Sequence, residues 1–159
     1  MPTVMFVCTG NLCRSPIAEV LFRQWLQRQS VSGDWRVLSC GTWAHDGSSV
    51  ASHVLQSLLD MGIDLVQHRS RSVTADLLAD ADLVLCMTQS HKEALHAEFP
   101  QFAGRISLLS EMVGQTYDVQ DVENFATAQY VCVANELARI IEDAGESILT
   151  LLQPTTGSV

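Results

Sequence analysis

The sequence predicts an α/β fold, a three-layer sandwich around a central four-stranded parallel sheet. Three observations carry that reading. Short apolar runs of strand length recur at Thr3–Val7, Trp35–Ser39, Leu83–Met87 and Ile106–Leu109. Stretches with apolar residues at helical spacing separate them, joined by short loops, as in strand–helix–strand units that wind a parallel sheet. The 159 residues, 47% of them hydrophobic, suit one domain with a real core.

Taken in order, the first run ends at Cys8, and Cys8-Thr9-Gly10-Asn11-Leu12-Cys13-Arg14-Ser15 forms a short polar loop. Ser15 reads as an N-cap with Pro16 at the first helical position, where a missing N–H costs nothing. Ile17, Val20, Leu21 and Trp25 then predict a helix to about Gln29. After the second strand comes a loop from Cys40 to Gly47. A helix capped by Ser48 runs through Met61, with Val50, Val54, Leu58 and Met61 on one face and Gly62 as its stop. Thr74–Ala79 reads as a short helix before the third strand, and 90–98 as a helix ending near Pro100. The last helix is expected over about 124–143. Residues 1–150 read as one domain and 151–159 as a flexible tail.

The junction from Cys8 to Ser15 carries the chemistry. A loop that ends at a helix N-terminus offers convergent N–H groups and the positive end of the helix dipole, which suits an oxyanion of the phosphate kind. The same field favours negative charge on the Cys8 sulfur. Arg14 adds a planar fork for two oxygens, and the Ser15 hydroxyl can donate to the sulfur. Ligands in open parallel sheets bind beyond the carboxyl ends of the strands, where Cys8 lies. Asn11 tolerates a left-handed backbone and can lock the loop through side-chain hydrogen bonds.

Val7-Cys8-Thr9-Gly10-Asn11-Leu12-Cys13-Arg14-Ser15-Pro16 resembles the signature of the low-molecular-weight protein tyrosine phosphatases. Further echoes are Ser39-Cys40-Gly41-Thr42-Trp43-Ala44, Gly62-Ile63-Asp64, His68-Arg69-Ser70 and Asp82–Thr88, so the likeness reaches about residue 143. The resemblance implies a phosphatase that works through a cysteinyl-phosphate on Cys8. Phosphate would be held by the loop from Thr9 through Gly10, Asn11, Leu12 and Cys13 to Arg14 and Ser15. It implies that Ser39 and His68 support the loop through Asn11, that Trp43 walls the substrate cleft, and that Cys8 and Cys13 can pair reversibly. Cys86 and Cys132, in apolar stretches, read as core.

The family's acid is an Asp followed by Pro and an aromatic. Here Asp121 stands at the matching spacing in Asp118-Val119-Gln120-Asp121, but Val122 replaces the Pro and Glu123 the aromatic. Asp121 is the candidate acid and Asp118 its rival. A relative of the family removes phosphate from arginine and carries Thr where this chain has Leu12. The bulkier apolar Leu12 favours an aryl ring, hence phosphotyrosine. A protein-arginine phosphatase, an arsenate reductase and a non-catalytic phospho-residue binding module are the alternatives.

Composition narrows the partners. A net charge of −9 makes nucleic acid a poor one and disfavours polyanionic substrates. No run is long and apolar enough to span a bilayer, and the N-terminus shows no secretory pattern. Five cysteines, an odd number, argue against a disulfide framework and for a reducing cytoplasm. The histidines show no ligand spacing and no zinc set emerges, so neither metal nor cofactor is expected. The expected partner is a phosphorylated protein, with room for a cognate kinase.

Overall fold

The computed structural model describes residues 1–31, 33–122 and 126–153. Its sheet has four strands: β1 (Thr3–Cys8), β2 (Arg36–Gly41), β3 (Leu83–Cys86) and β4 (Ile106–Leu108). They run parallel in the order β2-β1-β3-β4. The helices are α1 (Arg14–Arg28), α2 (Ser52–Asp60), α3 (Ala75–Asp80), α4 (Gln89–Glu98) and α5 (Thr127–Leu152). Two 3₁₀ turns, Pro100–Arg105 and Leu109–Val113, flank β4.

Strand alternation divides the core in two. Val4, Phe6 and Cys8 point to the face covered by α1, α2 and α5, where Ile17, Phe22, Trp25, Val54, Leu58, Leu137 and Ile141 pack. Met5, Val7, Val84 and Cys86 point to the other face, against Leu78 of α3 and Leu95 of α4. The expected sandwich follows from this two-sided burial of a parallel sheet. The chain leaves β1 towards β2 on one side and returns to β3 on the other. The carboxyl end of β1, where Cys8 sits, is therefore the switch point of the topology.

Several boundaries differ from the sequence reading. Arg14 opens α1 and Cys13 is its N-cap residue, so Ser15 lies inside the first turn and caps nothing. Its hydroxyl is used by the loop instead. Helix α2 begins at Ser52 behind Ala51, and Ser48 spends its backbone on a pairing with Ser70. Gly62 does end that helix, at φ +79°, a value natural to glycine. Thr74 caps α3 by accepting from the Leu77 amide at 3.2 Å. Helix α5 continues to Leu152, well past Asp143, because Ala144, Gly145 and Ile148 keep its apolar stripe buried. The first part of the expected tail is thus helical, and its end lies outside the described residues, as does the expected helix start at Asn124. Cys86 is core, as read, whereas Cys132 is exposed on α5. No helix among the described residues is long and apolar enough to cross a membrane.

Helices α1 and α5 meet at Gly145, where an added Cβ would strike the Trp25 indole. That ring is buried and lies nearly parallel to Phe22, 6.0 Å between centroids. Two effects oppose each other in Gly145→Ala. Helix propensity favours Ala by about 1 kcal/mol, whereas overpacking costs about 1–3 kcal/mol. The collision is with a ring that has no room to move, so we expect net destabilisation of about 1 kcal/mol or more in urea denaturation.

Candidate active site

The loop between β1 and α1 is shaped by Asn11. Its backbone is left-handed, φ +56°, and its side chain is fully buried. The amide nitrogen donates to Ser15 Oγ and Ser39 Oγ, both at 2.9 Å, and the amide oxygen accepts from the Arg71 N–H at 3.0 Å. Its carbonyl oxygen meets His68 Nε2 at 2.7 Å, so the half-buried His68 carries its proton on that nitrogen. The structure thus joins Asn11, Ser39 and His68. It adds two residues that the sequence reading missed. Glu19 accepts from the Ser39 hydroxyl at 2.6 Å, and Arg71 ties a distant strap to the loop.

Cys8 Sγ lies 2.9 Å from Ser15 Oγ and is 2% exposed. Ser15 Oγ receives the Asn11 N–H, so its single proton is left for the Cys8 sulfur or for the Cys40 carbonyl at 3.3 Å. A negative sulfur would win that proton. The far wall of the loop is the turn that follows β2: the amides of Thr42 and Trp43 donate to the carbonyls of Cys8 and Thr9. Gly41 permits this approach, since a Cβ there would collide with the Thr9 carbonyl. Trp43 is 79% exposed, so it caps no core and stands outside the residues that line the cavity at Cys8.

Arg14 is 4% exposed. Its Nη1 donates to the Val119 carbonyl at 2.9 Å, and its Nη2 approaches Thr9 Oγ1 and Asp121 Oδ2, each at 3.4 Å. Its Nε is buried and has no partner among the described residues. A buried cation with an unspent N–H is costly unless an anion completes it. The segment carrying Asp121 docks through the Val119 N–H on the Met87 carbonyl, beyond the end of β3. The rival Asp118 is turned away: it accepts from the Gln89 amide at the start of α4, at 2.8 Å.

These groups open on a cavity of about 220 Å³ lined by Cys8, Gly10, Leu12, Cys13, Arg14, Asp121, Val122 and Tyr130. Tyr130 comes from α5, a contribution that no local motif in the sequence announces. Cys13 is buried too, and burial, followed by the nearby Cys8, pushes its thiol up to about 12. It is therefore a neutral thiol at physiological pH. The Cys86 thiol is raised further by burial and faces the opposite side of the sheet from Cys8. Glu123, the residue replacing the family's aromatic, lies outside the described residues.

The fold and the loop together define a class, an α/β protein with a cysteine and an arginine on a cavity-lining loop at the head of its first helix. The chain belongs to the low molecular weight phosphotyrosine protein phosphatase family, whose model matches residues 3–153. It is 32% identical over 146 residues to the protein-arginine-phosphatase of Bacillus subtilis, covering 91% of this chain and 95% of that protein. It is 34% identical over 119 residues to a probable low molecular weight protein-tyrosine-phosphatase of Ralstonia nicotianae, covering 75% and 77% of the two chains. Among solved structures, a low molecular weight protein tyrosine phosphatase from T. tengcongensis superposes with a TM-score of 0.83. That pair shares 37% identity over 92% of this chain and 99% of the other.

Proposed function

We propose that this chain hydrolyses phosphotyrosine in proteins through a cysteinyl-phosphate intermediate. The observation that carries the reading is the loop itself, with Cys8 and Arg14 lining one cavity and the Arg14 Nε unspent. Cys8 sulfur attacks phosphorus in line with the leaving oxygen, so an S–P bond forms as the ester P–O bond breaks. Arg14 and the amides of Thr9–Ser15 hold the three equatorial oxygens, where transition-state charge concentrates. Asp121 gives its proton to the leaving oxygen. In the second step it takes a proton from water as that water displaces the sulfur, and phosphate leaves. The cavity position of Asp121, against the diversion of Asp118 to Gln89, favours Asp121 as the acid.

Leu12, Val122 and Tyr130 make the cavity rim apolar, which suits an aryl ring on the phosphate. Trp43 can extend that rim only from its solvent-facing position. The protein-arginine-phosphatase reading stands second, supported by the Bacillus relative that covers nearly the whole chain. An arsenate reductase would need a further downstream cysteine to relay with Cys8, and Cys86, on the far side of the sheet, does not supply it. Five free thiols among the described residues fit a reducing compartment such as the cytoplasm, where Cys8 stays usable. The substrate would be a phosphorylated protein supplied by a kinase.

Phosphate release from a phosphotyrosine peptide tests the reading directly. Cys8→Ser is expected to abolish turnover and retain inorganic phosphate binding; turnover by that variant would exclude Cys8 as nucleophile. Asp121→Ala should lower kcat by roughly 100-fold or more for substrates with poor leaving groups, and far less for good ones. Asp118→Ala should stay within a few-fold of wild type; the reverse pattern would move the acid to Asp118. Leu12→Thr should gain hydrolysis of phosphoarginine relative to phosphotyrosine. An unchanged ratio would remove the rim as the selector.

A further inference from the structure

Against Thr9, at the start of the loop, stands a histidine that the proposed mechanism does not use. His91 lies in the first turn of α4 and is 6% exposed. Its Nδ1 is 3.2 Å from the Thr88 backbone nitrogen, which can only donate, so Nδ1 holds a lone pair. Thr88 Oγ1 lies 2.9 Å from the same nitrogen. In a neutral ring the proton is then on Nε2, and Nε2 lies 2.8 Å from Thr9 Oγ1. The Thr9 oxygen thus accepts from His91, and it is the same oxygen that Arg14 Nη2 approaches at 3.4 Å. Burial, then the charge of Arg14, pulls the imidazole down to about 4, so the ring is neutral at physiological pH, as this tautomer requires.

We propose that His91 is a positioning residue for Arg14: held by Thr88, it fixes the Thr9 hydroxyl that braces one edge of the guanidinium, while the Val119 carbonyl braces the other. The result is a fork pinned at both terminal nitrogens, with Nε left unspent. The geometry has a simple logic. Asn11 fixes the loop backbone, but a guanidinium on a flexible stem needs its own orientation, and a neutral imidazole supplies it without placing a second positive charge beside Arg14. This inference rests on the oxyanion-binding reading of the loop.

The alternative is that His91 merely completes the cap of α4 with Thr88. Two substitutions separate the roles. An Asn oxygen takes the place of Nδ1 and keeps the cap but cannot reach Thr9. A Gln nitrogen reaches the place of Nε2. We expect His91→Asn to keep the wild-type Tm within a degree or two, yet raise the Ki of inorganic phosphate roughly 3- to 10-fold, the span of one neutral hydrogen bond. KM for a phosphotyrosine peptide should rise with it. His91→Gln should return Ki to within twofold of wild type. Thr9→Val should match His91→Asn, and the double variant should be no worse than Thr9→Val alone.

Ki unchanged in folded His91→Asn, or fully multiplicative effects in the double variant, would overturn the positioning role. If His91→Asn does not fold, His91→Gln and Thr9→Val carry the test: an unchanged Ki in Thr9→Val overturns it equally. Wild type is assayed alongside. Failure of wild type to bind phosphate or hydrolyse the peptide would defeat the phosphatase reading and this inference with it. Normal wild-type behaviour with indifferent variants would defeat this inference alone.

Discussion

The left-handed turn at Asn11 is the constraint on which the site depends. A loop whose amides converge cannot satisfy them on each other, so something outside must hold its shape. The buried Asn11 side chain does so by binding Ser15 in α1, Ser39 in β2 and the Arg71 backbone at once. Three segments distant in sequence are thereby referred to one amide group, whose donors are both spent. His68 closes the remaining backbone acceptor. With the loop locked, the first turn of α1 can aim its free N–H groups without collapsing onto its own carbonyls.

Arg14 answers a different problem. The chain is strongly acidic, so a long-range field cannot draw an anion to this site, and attraction has to be local. Burial makes it so, because a charge shielded from water interacts strongly over a few ångströms. The cost of burying the guanidinium is offset by Val119, Thr9 and the partly exposed Asp121, and Nε is left without a partner among the described residues. On the proposed reading, that unmet hydrogen bonding is what an oxyanion would complete. The backbone supplies the remaining positive potential, which needs no basic side chains at all.

What was legible in the sequence is what is local. Strand periods, the Cys8–Ser15 junction, Gly62 as a stop and the short helix after Thr74 all depend on near neighbours, and the structure has them. The resemblance to a known family supplied Ser39 and His68, which no spacing argument could reach. The misreadings share a cause in tertiary packing. Ser15 has the chemistry of a cap, but Asn11 and Cys8 claim its hydroxyl, and the helix begins two residues earlier. Ser48 resembles a cap as well, yet its strap is already paired with Ser70. The long α5 outlasts its sequence signal because Trp25 and its neighbours give the later turns something to pack on. Glu19, His91 and Tyr130 had no local signature, since each matters through a partner far along the chain.

The same contrast bears on substrate choice. The proposed oxyanion loop is one contiguous stretch, so it is the part of the site that a short motif can announce. The rim is assembled from Leu12 in the loop, Val122 before α5 and Tyr130 within it, three places with no common motif. An apolar rim rewards the flat, weakly hydrated face of an aryl ring, whereas a guanidinium bound to phosphate would bring several N–H groups for which Leu12 and Val122 offer no side-chain acceptor, leaving Asp121 and the Tyr130 hydroxyl to take them. Unpaired donors are penalised more heavily than a missing apolar contact. Overall sequence identity to an arginine phosphatase therefore weighs less on specificity than the polarity of these few positions, because most of the shared residues build the sheet and the cradle common to both kinds of substrate.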